Sequence, residues 1–171
     1  MCRNLLIIIT IFIFNWSTGQ SKNIVLDKYP FNKAKSIMLA SFQNLEFVND
    51  TLSKIKCVEI PKTNGKVNVE EFEQLVKLHK SKYEKLYNIL FSKSIEENIV
   101  GKGNCSETGY AVLFFDAKGN VFEYLQFCYN CKTFSSSFNK DLLKNEDYAK
   151  LEQFKKLFDD NGISVIGYRG E

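Results

Sequence analysis

The chain has 171 residues, of which 44% are hydrophobic, and a formal net charge of +3 from 23 basic and 20 acidic residues. That length suffices for one domain with its own hydrophobic core. The charges are interspersed with no block of one sign, so the concentrated basic stripe of a nucleic-acid surface is absent and no nucleic-acid partner is expected.

Residues 1–19, "MCRNLLIIITIFIFNWSTG", read as a secretory signal peptide. Arg3 supplies the positive start, and Leu5 to Phe14 form an apolar run of about ten residues. Ser17 and Gly19 are small residues suited to cleavage before Gln20. A membrane-spanning helix needs about twenty apolar residues, so the run is short for a span, and an uncleaved N-terminal anchor is the competing reading. Cleavage removes Cys2 and leaves residues 20–171 as a single α+β domain without a membrane span. The expected location is periplasmic, extracellular or on the cell surface.

Two strands are predicted first, over "KSIMLASFQ" (35–43) and "KIKCVEI" (54–60). A helix of about six turns is predicted over 68–92, with Asn68 as N-cap and Glu71 reaching back to it. Phe72, Leu75, Val76, His79, Tyr83, Leu86, Tyr87 and Leu90 recur at steps of three and four, which places them on one helix face. Next comes a hairpin, "GYAVLFFDAKGNVFEYLQFC" (109–128), turning at Gly119, where a positive φ suits a short loop. "KTFSSSF" (132–138) fits a short strand or an extended loop. A second helix covers "NEDYAKLEQFKKLFDDNG" (145–162), capped by Asn145 and stopped at Asn161–Gly162. "ISVIGY" (163–168) reads as a closing strand. The order β-β-α-β-β-(β)-α-β implies an antiparallel sheet with two main helices packed on it, an α+β class rather than a doubly wound nucleotide fold.

After cleavage, Cys57, Cys105, Cys128 and Cys131 remain, and an exported chain with four cysteines allows three full disulfide pairings. With Ala117–Lys118–Gly119 as the loop, Asp116 faces Asn120, Cys128 faces Thr108 and Cys131 faces Cys105; fraying brings Cys105 to Cys128 instead. Three cysteines therefore gather at the open end of the hairpin. The favoured reading is a disulfide from Cys105 to Cys131 or Cys128. The second is a zinc-type site, since thiolates spaced C-x₂-C chelate well, with Cys57 or His79 as fourth ligand. The third is a redox dithiol, but such a pair opens a helix, whereas "KTFSSSF" is a poor helix start and both prolines, Pro30 and Pro61, lie upstream.

His79, the single histidine, sits on the apolar stripe and reads as a partly buried, hydrogen-bonded core residue. No "GxSxG" accompanies it, "GKGN" (101–104) is not a phosphate loop, and Asp159 and Asp160 adjoin a helix end as solvated groups. No catalytic residue is assigned, which leans against an enzyme, and no cofactor other than zinc is implied. "NDT" at Asn49 and "NCS" at Asn104 match the N-glycosylation pattern.

The segment from Cys105 to Cys131 resembles one found in uncharacterised exported proteins of Bacteroidota-type bacteria. In these an upstream cysteine precedes a "FFDAKGN"-type hairpin ending in C-aromatic-x-C, here "CYNC", and the ending "FDDNGI" is also similar. The resemblance covers roughly residues 105–163. It implies a periplasmic or surface location and a shared cysteine cluster, and it implies no activity.

Overall fold

The structure, a computed structural model, describes residues 26–43, 59–92, 108–139 and 148–165. The N-terminal apolar run, Asn49, most of the predicted 54–60 strand with Cys57, Asn104, Cys105, the Asn145 cap and residues 166–168 lie outside the described residues.

Five strands form an antiparallel sheet: β1 (Ser36–Gln43), β4 (Gln74–Lys77), β5 (Thr108–Phe115), β6 (Val121–Cys128) and β7 (Thr133–Ser136), in the order β4-β1-β5-β6-β7. The small hairpin β2 (Lys62–Thr63) and β3 (Lys66–Val67) stands apart from it. Helices α1 (Tyr83–Phe91) and α2 (Tyr148–Asp159) complete the α+β architecture.

Successive strand side chains point to opposite faces, and the burial follows that alternation. On one face, Ile37 and Leu39 of β1, Tyr110, Val112 and Phe114 of β5, and Leu125 and Phe127 of β6 pack with the apolar stripes of both helices. Leu86, Ile89 and Leu90 supply the stripe of α1; Leu151, Phe154, Leu157 and Phe158 supply that of α2. On the other face, Ala40, Phe42, Ala111, Leu113 and Phe115 are covered by Ile60, Val67 and Phe72. The central strand β5 is thus covered on both sides, which explains its unbroken apolar run "YAVLFF". Each such fully buried large side chain contributes about 1.5–3 kcal/mol by leaving water.

The predicted β5–β6 turn is present. Asp116 N–H donates to the Asn120 carbonyl at 2.9 Å, and Gly119 takes φ +82°. The Asp116 carboxylate accepts from the N–H groups of Lys118 (2.8 Å) and Asn120 (2.9 Å). Just beyond, the register slips: Phe115 pairs with Val121, but Phe114 pairs with Glu123, leaving Phe122 as the extra residue of a bulge. From there Tyr110 faces Phe127, one residue away from the register expected for a regular ladder.

The long helix predicted from Asn68 is not one helix. Asn68 does cap a turn, accepting from Glu70 N–H at 3.2 Å and donating from its amide to Glu71 at 2.6 Å, but the turn is a single 3₁₀ turn, Val69–Glu71. The chain then extends into β4 and pairs with β1, Leu39 against Val76 and Ala40 against Leu75. Val76 and Leu78 lie two residues apart on the helix-covered face. The run Phe72–Leu78 satisfies both the helical and the alternating period, and the open edge of β1 decides for the strand. Tyr83, Leu86, Tyr87 and Leu90, the second half of the predicted stripe, do form the helix α1. Tyr83 also accepts the Ile37 N–H at 3.0 Å, anchoring the start of β1.

"KTFSSSF" resolves to strand β7. Helix α2 ends as predicted: Gly162 takes φ +85° and its N–H donates to Asp159 C=O at 3.1 Å. Residues 163–165 carry no strand; Ile163 and Val165 are instead buried in the core, and Val165 N–H donates to the Asp159 carboxylate at 2.9 Å.

Candidate functional site

The cysteines of "CYNC" lie where β6 gives way to β7. Cys128 is the last residue of β6 and pairs with Thr133 across the ladder, so the chain reverses within Tyr129–Lys132. Lys132 takes φ +55°, and its N–H donates to Tyr129 C=O at 3.3 Å, which completes the reversal. The turn folds Cys131 back onto Cys128, and the two are joined by a disulfide with a Cα–Cα separation of 5.1 Å. Cys131 N–H also donates to Cys128 Sγ at 3.1 Å.

This pairing corrects the sequence expectation. A disulfide from Cys105 to either of these residues assumed that β6 ran straight on past Cys128. The tight β6–β7 turn instead brings the two cysteines to each other. Cys105 and Cys57 lie outside the described residues. His79 is also not where its stripe placed it. It is exposed, precedes the 3₁₀ turn Lys80–Lys82, and its Nδ1 accepts from Ser81 N–H at 3.3 Å. The strand β4 ends before it, so it belongs to neither the sheet nor the helix stripe. Among the described residues, no group of three or more His, Cys, Asp or Glu side chains is placed to hold a metal ion.

Both bonded cysteines are buried, Cys128 at 3% exposure and Cys131 at 5%. Beneath them, Phe127 meets the rings of Tyr110, Phe134, Phe154 and Phe158 at centroid distances of 5.1–6.1 Å. Such aromatic pairs add about 0.5–1.5 kcal/mol each beyond their burial. Tyr129, between the cysteines, donates from its phenol to Glu152 on α2. Lys155 lies 6.0 Å from the same ring, and Lys132 lies 5.6 Å from the ring of Tyr148. Burial, followed by the hydrogen bonds to Glu152 and Tyr148, pushes the Tyr129 phenol pKa above its ordinary value of 10.0. The disulfide turn is therefore pinned to α2 by a protonated tyrosine as well as by the ring cluster.

Chemically, a bonded and buried pair offers neither a nucleophile nor a metal-ligating thiolate. It restricts the turn. The Tyr129–Glu152 link was invisible in the sequence, because nothing in the spacing of a turn residue and a later helix residue signals their contact. Comparison with protein-family models, with curated proteins and with solved structures finds no match to this chain. No described helix is long and apolar enough to cross a membrane.

Proposed function

We infer that the protein is an exported, non-enzymatic module in which the Cys128–Cys131 disulfide maintains a structural or binding surface built on the β6–β7 turn and α2. The observation that carries this reading is the burial of both bonded sulfur-bearing residues beneath the turn. A redox dithiol needs an accessible sulfur, which an attacking thiolate must reach in line. Here the pair closes a turn between two strands, and β7 follows it rather than a helix whose N-terminus would activate the first cysteine. Export is supported by the apolar run from Leu5 to Phe14 and by the disulfide itself, since such bonds persist in oxidising compartments. Kinship with exported proteins of Bacteroidota-type bacteria is part of the same reading, and rests on the "FFDAKGN" hairpin and "CYNC" ending.

Alkylation of the denatured protein before and after reduction, read by peptide mass, tests it. The peptide carrying Cys128 and Cys131 should resist alkylation until reduced and then take two labels. Labelling without reduction would overturn the disulfide reading. Sequencing the N-terminus of protein recovered from the producing cell tests export, which predicts a chain beginning at Gln20.

A further inference from the structure

The bulge at Phe122 changes which side of the sheet that residue serves. In a regular ladder Phe122 and Glu123 would point to opposite faces. The extra residue instead turns Phe122 to the helix-covered side, which Glu123 shares with Leu125, while Val121 and Tyr124 pack on the other. Tyr29, from the turn that precedes β1, meets both neighbours. Its ring lies 6.2 Å from that of Phe122, and its phenol donates to the Glu123 carboxylate. Just past β7, Phe138 sets a third ring 6.2 Å from Tyr29, and the Ser137 hydroxyl donates to the other Glu123 oxygen.

Three segments distant in sequence thus frame one carboxylate with three rings. The Tyr29 ring stands at 64° and 78° to its two neighbours, so the rings form a corner rather than a stack. The corner reaches solvent: Tyr29 is 45% exposed, and Phe122, Glu123 and Phe138 are half-buried. Burial, followed by the hydrogen bond and charge of Glu123, pushes the Tyr29 phenol pKa up to about 12, so the phenol stays protonated and donates. Hydroxyl donors of this kind occupy lone pairs of a carboxylate without cancelling its charge. Among the described residues, Glu123 forms no ion pair.

Ring faces and a carboxylate both attract a cation. The adjoining residues show the same chemistry satisfied from within the chain. Lys28 sets its ammonium 4.8 Å from the Phe91 ring centroid and 6.0 Å from that of Tyr87, whose phenol donates to Asp27 at 2.8 Å. One aromatic and carboxylate grouping therefore holds the protein's own lysine, and the next, at Tyr29, holds none.

We propose that the corner of Tyr29, Phe122 and Phe138 binds a small organic cation, an alkylammonium or quaternary ammonium group, over its rings and against the Glu123 carboxylate. The site shares no residue with the disulfide turn and stands or falls apart from it.

Titration of the full chain with butylammonium and, separately, with tetramethylammonium, followed by amide and ring chemical shifts at low salt, tests the proposal. The expected result is saturable, one-site binding that moves the Tyr29 ring and the amides of Phe122, Glu123 and Phe138. Tighter binding of butylammonium assigns the ligand to the primary amines, and tighter binding of tetramethylammonium to the quaternary ones. Neutral butanol should bind at least tenfold more weakly than butylammonium, about the worth of one ion-pair contact near a surface. Glu123→Gln, which keeps an acceptor for both hydroxyls, should weaken binding by about tenfold, and Tyr29→Leu by about threefold. Glu84→Gln, the same charge change at an exposed position on α1, should leave it unchanged. Far-ultraviolet circular dichroism confirms that the variants fold, and either corner variant alone suffices. Absence of saturation with both cations, equal affinity for butanol, or equal weakening by Glu84→Gln and Glu123→Gln overturns the proposal.

Discussion

Tyr129, one of the two residues enclosed by the Cys128–Cys131 bond, gives its phenolic hydrogen bond to Glu152 on α2. The contact ties a strand-to-strand turn to a helix that follows it in the chain. Because the folded state raises the phenol pKa, it favours the protonated form. That contribution is complete below the ordinary value of 10.0 and is lost as pH climbs past it toward the raised folded value. Tyr129→Phe should cost about 1 kcal/mol at neutral pH. In urea unfolding series, the gap between variant and parent should then narrow above pH 10.0. A gap of constant size in alkali would refute the protonated link.

The disulfide closes a loop of sequence separation 3. For so short a loop, chain entropy assigns it only about 2 kcal/mol, the low end of what such bonds provide. The double variant Cys128→Ala/Cys131→Ala should therefore stay folded and lose about that much, measured by urea denaturation. Its near-ultraviolet circular dichroism should resemble the parent, because the rings around Phe127 and the Tyr129 link hold the turn in place. Complete unfolding at 25 °C would mean that the bond supports far more than its own loop.

Leu75 discriminates between the structure and the helical reading of its segment. On a helix stripe it would be core, and its truncation would cost several kcal/mol. In β4 it is 37% exposed, and Leu75→Ala should change stability by no more than about 0.5 kcal/mol. Phe158, fully buried against Tyr110 and Phe127, sets the contrast, with an expected cost of about 3–5 kcal/mol for Phe158→Ala. Similar losses for the two variants would contradict the strand.

The hairpin turn carries its own pH dependence. The backbone N–H of Asn120, with further help from the Asn120 amide and the Lys118 N–H, lowers the Asp116 pKa from its ordinary 3.8. The ionised carboxylate thus stabilises the fold above about pH 3.8, and this is lost as pH falls through the lowered folded value. Asp116→Asn keeps an acceptor and removes the charge. It should be less stable than the parent at pH 7, with the difference fading in acid. Thermal unfolding of both proteins between pH 7 and pH 2 decides it, and a difference independent of pH would rule out the charged turn.

Where local pattern and tertiary environment agree, the sequence was legible. The body of α2 carries a clear helical period closed by a stop residue, the β5–β6 hairpin shows as two apolar, aromatic-rich runs flanking a turn, and the Asp116–Asn120 turn has the chemistry its conformation demands. The Phe72–Leu78 run fits two periods, and only the unpaired edge of β1, a partner some thirty residues upstream, selects between them. At the cysteines, register defeated the reading twice. Phe122 adds an unpaired residue that shifts every pair beyond it, and Lys132 reverses a chain that the ladder count had taken as straight. Neither a bulge nor a positive φ at a lysine leaves a recognisable mark in composition.

The sheet also tapers. Its outermost described strands, β4 and β7, have four residues each, against eight for the three strands between them. A short rim presents few vacant ladder groups to an invading strand, and on β4 those groups are flanked by exposed Gln74 and Lys77. Copies of the protein crowded together in solution would thus find little to zip onto, so concentrated samples should resist growing into fibrils even though the strands between the rims are rich in the aromatic residues that fibrils favour.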